Sequence, residues 1–166
     1  MPARIAIVAM LLAAATALTG CHSAPTLRVI DAEITEQTDD GFVVTFHLEG
    51  LNPNDDPLPL RRVNYSLSLD GRRVFEGVRS PEATLPRRGV QRFSLPVATP
   101  RDVWTPEQLG AGASYTLRGE LTYLAPGAFA EVLFDAGVRR PTVSFRSSGE
   151  FSALESIPDE PAAPPE

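Results

Sequence analysis

Val63-Asn64-Tyr65-Ser66-Leu67-Ser68-Leu69-Asp70-Gly71-Arg72-Arg73-Val74-Phe75 is the stretch that decides the fold. Val63, Tyr65, Leu67 and Leu69 alternate with Asn64, Ser66 and Ser68, the period of a strand with one buried face. Asp70-Gly71 then interrupts two strand patterns. A type I′ turn needs positive φ at both central residues, and Asp-Gly supplies it with little strain. The segment therefore reads as a β-hairpin. In the tightest register Leu69 faces Arg72 and Leu67 faces Val74. Phe75 then points away from the core, unless a bulge shifts it.

The same alternation recurs on both sides. Phe42, Val44, Phe46 and Leu48 share one face, with Val43, Thr45, His47 and Glu49 on the other. Phe93, Leu95 and Val97 form a stripe, Tyr115 to Tyr123 another, and Val143 with Phe145 a late one. Leu27 to Thr35 and Phe129 to Asp135 are further expected strands. Asp40-Gly41 gives a second, weaker hairpin. Pro57, Pro59, Pro86, Pro96, Pro100, Pro126 and Pro141 are expected outside strand interiors, where a missing N–H costs no ladder bond. One short helix is expected at Thr105-Pro106-Glu107-Gln108, which has the capping-box form with Pro at the first helical position and Gly110 as stop. Trp104 is expected to pack on the core. Seven or eight short strands with Gly/Pro turns predict an all-β, immunoglobulin- or fibronectin-III-like sandwich with one short helix.

Composition narrows function mostly by exclusion. The 166 residues carry 15 basic and 21 acidic side chains, a net charge of −6. Nucleic acid, which needs a dense basic face, is not an expected partner. Every base is arginine, so lysine chemistry is absent. A single Cys excludes an internal disulfide, and two His leave little for catalysis or metal binding. His47 reads as a solvated strand residue, and neither His has a nucleophile and an acid at a recognisable spacing. The Asp55-Asp56 pair with Asn52 and Asn54 offers hard oxygens, but lacks the ordered spacing of a calcium loop. No catalytic residue, metal or cofactor is expected.

The first residues read as a targeting segment. Ile5 to Leu18 is an apolar and small-residue run behind one basic residue. Fourteen helical residues cover only about 21 Å, short of a ~30 Å hydrocarbon core. A cleaved signal peptide fits better than a spanning helix. Leu18-Thr19-Gly20-Cys21 resembles the bacterial lipobox. That resemblance implies a diacylglycerol thioether on Cys21, cleavage before it and stable anchoring by two or three acyl chains. His22 follows, where inner-membrane retention would need Asp. The outer membrane, facing the periplasm, is the expected location. Residues 1–20 are thus the signal peptide, 21–25 the lipidated cysteine and tether, 26–151 the sandwich and 152–166 a disordered, acidic, proline-rich tail. The protein is expected to be a monomer.

The ordered motifs of the body resemble the late embryogenesis abundant type 2 family, also called the water stress and hypersensitive response domain. They begin with Asn52-Pro53-Asn54 and the amphipathic strand holding Tyr65. The turn ending at Gly71 follows, then a strand ending at Gly77. Next come Leu85-Pro86-Arg87-Arg88-Gly89 and a strand, then a short helix and Tyr115-Thr116-Leu117-Arg118-Gly119. The order covers roughly residues 26 to 146. The resemblance implies a sandwich without established catalytic residues, associated with desiccation, cold and other stress. Read by themselves, Asn52 and Asn54 are structural turn residues, with a ligand contact as the alternative. The doublets Arg61-Arg62, Arg72-Arg73 and Arg87-Arg88 are candidates for lipid-headgroup contact if several share one end of the sandwich. The expected function is non-enzymatic: lipid-anchored stress protection through contact with client proteins or membrane. The alternative is an envelope module that recruits one protein or ligand.

Overall fold

The computed structural model describes residues 22–101, 103, 112–127 and 129–151. The lipobox, Trp104, the expected helix at 105–110 and the tail at 152–166 lie outside the described residues. Eight strands follow in order: β1 Thr26–Gln37, β2 Gly41–Leu51, β3 Leu58–Leu69, β4 Arg72–Arg79, β5 Thr84–Leu85, β6 Val90–Pro100, β7 Ser114–Tyr123 and β8 Thr142–Glu150. One short helix, α1 Ala130–Asp135, lies between β7 and β8. One antiparallel sheet has the order β1-β2-β6; the other runs β4-β3-β7-β8, with β5 beside the start of β3. The two face each other as an immunoglobulin-like sandwich of the fibronectin-III kind.

The alternation read from sequence supplies the core. Val44, Phe46 and Leu48 from β2, Leu95 and Val97 from β6, Val63 and Leu67 from β3, and Leu117 and Leu121 from β7 are all fully buried. Each stripe has period two because successive side chains leave opposite faces of a strand. At the Asp70-Gly71 turn φ is 46° and 81°, as a type I′ turn demands. Asp70 Oδ1 also accepts hydrogen bonds from the Ser114 N–H (3.0 Å) and hydroxyl (3.1 Å), fastening the hairpin to β7.

Several expectations are corrected. Leu69 faces Arg72, but Leu67 faces Phe75 rather than Val74, because Val74 is the extra residue of a bulge. The bulge turns Phe75 towards the core, where its ring lies 5.2 Å from that of Tyr65. Residues 129–135 are not a strand. Ala130, Glu131 and Leu133 favour a helix, and Gly137 (φ 75°) ends it. The Gly137 N–H reaches the Phe134 carbonyl and the Val138 N–H reaches Leu133, the paired bonds of a Schellman motif. Pro59 and Pro96 lie within strands. Pro96 is tolerated in β6 because β6 is a sheet edge. Its carbonyl accepts the Tyr65 hydroxyl at 2.5 Å, a hydrogen bond between the two sheets. Burial pushes the Tyr65 phenol above its ordinary pKa, with Arg79 pulling weakly the other way.

Glycines of the quoted motifs sit beneath aromatic rings. Gly77, Tyr65, Gly119 and Phe145 form one row across β4, β3, β7 and β8. A Cβ on Gly119 would overlap the Phe145 ring, and one on Gly77 would lie 2.6 Å from Phe75. Gly149 is covered the same way by Tyr115, whose ring also stacks 4.7 Å from Phe151 and 5.5 Å from Phe46. The missing side chains leave room for rings to lie flat on the strands.

Candidate functional site

Asn52 directly follows β2 and is wholly buried. Its amide nitrogen donates to the carbonyls of Asp56 (2.8 Å), Pro86 (3.0 Å) and Leu85 (3.4 Å). Its oxygen accepts from the backbone and side-chain N–H groups of Asn54, both at 2.9 Å. Pro53 fixes the chain between them. Asn54 in turn grips Ser23: its side chain donates to the Ser23 carbonyl (2.9 Å) and accepts from the Ser23 N–H (3.0 Å). The Arg88 N–H bonds the Asn54 carbonyl, and the Asn52 N–H bonds Gly89. The two amides therefore fasten three chain segments, and their hydrogen-bonding groups are spent doing so. The local turn was legible in the sequence. The partners at 85, 86 and 23 were not.

This corner defines one end of the sandwich. The end gathers the entry at His22 to Pro25, the loops at 52–57, 80–83 and 86–89, and the connection at 124–141. The Leu124 N–H bonds Pro59, and the Leu60 N–H bonds Ala83. The opposite end holds the Asp39-Asp40 and Asp70-Gly71 turns, with Arg101 donating to Thr38. Asp39-Asp40 therefore cannot join Asp55-Asp56 around a common ion. Asp55 is held by two Arg88 guanidinium nitrogens, Nε and Nη2, and Asp56 faces His22 at 3.7 Å. The Arg88 hydrogen bond holds the Asp55 carboxyl below its ordinary pKa. Among the described residues, no three His, Cys, Asp or Glu side chains converge as a metal site.

The arginine doublets divide between the ends. Arg61-Arg62 and Arg87-Arg88 share the Asn52 end; Arg72-Arg73 lie at the other, where Arg72 donates to Val103 and Arg73 pairs with Glu76. Arg61 pairs with Glu131 at 3.1 Å, and its guanidinium lies 5.9 Å from the Phe134 ring centre. Arg140 sits 5.5 Å from the same ring and donates to the Phe134 and Asp135 carbonyls, stabilising the last turn of α1.

The other sheet holds two polar arrays that local spacing did not reveal. Glu49, only 13% exposed, is flanked by Arg28 and Arg92 from the neighbouring strands. The Arg28 hydrogen bond is the main cause that lowers the Glu49 pKa. His47 Nδ1 lies 3.0 Å from the Ser94 hydroxyl, and its Nε2 lies 3.0 Å from Glu33. This is a hydroxyl–imidazole–carboxylate series that no recognisable spacing in the sequence marks. It crosses three strands, so only their register brings it together. The series lies on the outward face of the sheet, with the imidazole one third exposed and Glu33 more than half. Catalysis by such a series also needs placed donors for an oxyanion and an enclosed substrate. Among the described residues, His47 sits on the open strand surface of β1, β2 and β6.

With this geometry the chain was compared with known proteins. The model of the family described as "Late embryogenesis abundant protein" matches residues 47–149. The chain belongs to this family. The late embryogenesis abundant match begins just before the Asn52 corner and ends at Gly149, so it spans the glycine–aromatic rows. A solution structure of a protein from Arabidopsis thaliana is 18% identical, with a TM-score of 0.61, over 80% of this chain and 83% of that one. A second solution structure, described as a late embryogenesis abundant protein, is 18% identical at TM-score 0.56, over 93% and 89%. A crystal structure from Archaeoglobus fulgidus is 14% identical at TM-score 0.51, over 78% and 100%. At these identities the likeness is one of fold. No curated protein sequence matches.

Proposed function

We propose that this late embryogenesis abundant chain is a non-enzymatic, lipid-anchored protein of the cell envelope that protects other components during water loss and related stress. The family match over residues 47–149 carries the stress-related part of the reading. The Leu18-Thr19-Gly20-Cys21 sequence supports the anchor, with acyl chains on Cys21 in the outer membrane, facing the periplasm. Asn54 grips Ser23, two residues after Cys21, so an acylated cysteine would hold the sandwich against the bilayer surface. Protection would act by surface contact. Polar strand faces such as Arg28–Glu49–Arg92 and Thr116–Ser148 meet clients or headgroups without a fixed stoichiometry.

A deletion strain tests the role. The expected outcome is a survival defect confined to drying and osmotic shock, reversed by the wild-type chain and not by Cys21→Ser. A defect confined to detergents would instead favour envelope assembly. Labelled palmitate should enter the wild-type chain and not Cys21→Ser.

One observation favours the recruiting-module alternative. Among the described residues β4 pairs with β3 alone, and Val78 on this edge is 62% exposed. An edge strand of this kind can take an added strand from a partner. Capture of one dominant envelope protein at equimolar ratio would support it, whereas preservation of several unrelated enzymes through drying supports protection.

A further inference from the structure

The connection between β7 and β8 runs from 124 to 141, eighteen residues, far longer than a hairpin needs. It carries the three most exposed large apolar side chains among the described residues: Phe129 at 75%, Val138 at 73% and Val132 at 64%. Phe129 is the residue just before α1, and Val132 lies in its first turn. Val138 follows the Schellman glycine, where an apolar residue usually packs back on the helix; here it stands in solvent. Phe129 also holds a left-handed conformation, φ 63°, which a bulky residue adopts only at a cost. Leu51 (45%) and Val90 (48%), paired across β2 and β6, lie at the same end. Among the described residues, five of the seven exposed large apolar side chains thus lie towards the end where Ser23 enters.

The charge at this end differs from that of the chain. Segments 52–62, 79–89 and 124–141 hold seven arginines and five acids, a sum of +2, in a chain of −6. Arg62, Arg139 and Arg140 lie around the excursion, and Arg62 and Arg140 line a recess of about 480 Å³ with Phe134, Thr122 and Thr142. Apolar tips beside a basic rim match the two layers of a phospholipid surface: acyl boundary for the side chains, phosphates for the guanidinium groups.

We propose that the β7–β8 excursion is a membrane-docking tip: Phe129, Val132 and Val138 enter the interfacial layer of a phospholipid bilayer while Arg62 and Arg139 meet lipid phosphates. The tip deepens the anchored reading given above, since it faces the way the Cys21 chain enters. It does not depend on acylation, because the contact is made by the folded body. Tip and anchor together give two attachments acting in concert, which fix orientation as well as location.

The test uses the full chain with Cys21→Ser, so that no acyl group is present and the acylation reading is judged separately by palmitate labelling. An environment-sensitive dye is placed through Phe129→Cys at the tip, or through Gln37→Cys at the opposite end. Vesicles of phosphatidylcholine and phosphatidylglycerol are added. The dye at 129 should brighten several-fold, shift to the blue and become shielded from an aqueous quencher, while the dye at 37 stays wet. Arg62→Gln and Arg139→Gln should each weaken vesicle binding about fivefold. Dyes that are both wet, both shielded, or shielded only at 37 overturn the proposal. A dye at 129 that is already shielded without vesicles reports a second copy on the tip and overturns it equally.

Discussion

The two ends of the sandwich are built differently. At the Asp70-Gly71 end the chain turns by local chemistry, with positive φ at two adjacent residues, and its bond from Ser114 to Asp70 is exposed to solvent. At the Asn52 end it turns by long-range contacts. One buried amide holds loops 33 and 34 residues away, and its neighbour holds the entry 31 residues back. The first end tolerates change better because its turn geometry is local and its longer-range bonds are exposed to solvent. The second does not, because one side chain serves several segments. The contrast teaches that a family's most regular motif can mark a structural fastener while the exposed chemistry sits beside it on a less regular connection.

The sharpest way to break this contrast is Asn52→Ala. It leaves buried carbonyls without donors and Asn54 without its acceptor, and should cost about 3–5 kcal/mol in denaturant unfolding. Gly71→Ala at the other end meets open space and only the backbone penalty of positive φ, about 1 kcal/mol. Equal costs would abolish the distinction. Gly119→Val comes next. It forces a branched side chain into the Phe145 ring and towards the Asn64 carbonyl, for about 2–3 kcal/mol by the same measurement.

Two pH effects sharpen the comparison further. Burial raises the folded-state pKa values of Tyr65 and Tyr123 above the ordinary phenol value. Their contribution is full below about pH 10 and is lost as pH rises through the folded values. Unfolding midpoints should fall above that pH, and less steeply in Tyr65→Phe. The carboxylates act in the opposite sense. Asp55 and Glu49 have lowered pKa values, so their contribution is present above the ordinary carboxylate range and lost as pH falls through the folded values. Asp55→Asn should flatten the acid limb only slightly, because the Arg88 pair is solvent-exposed and screened. A large salt-insensitive loss would contradict that.

Much was legible before any coordinates. Among the described residues, alternation marked five of the eight strands, β1 was a further expected strand, and Asp-Gly marked the main turn and with it β4. The strand expected at 129–135 failed because its apolar residues were weighed without Gly137, the one local sign of a helix end. The inner proline of β6 was misplaced because sequence does not say which strand is an edge. The Glu33–His47–Ser94 series and the apolar tip could not be read at all, since their members are joined only by register and by shared position at one end.

The sequence alone determined the period-two stripes, the type I′ turn and the motif order, because each is set by residues within a few positions of one another. Only the tertiary structure decided the bulge at Val74, the partners of Asn52 and the gathering of exposed apolar and basic groups at one end. Those depend on which strands pair and which loops meet. Such contacts span tens of residues, and no local pattern encodes them.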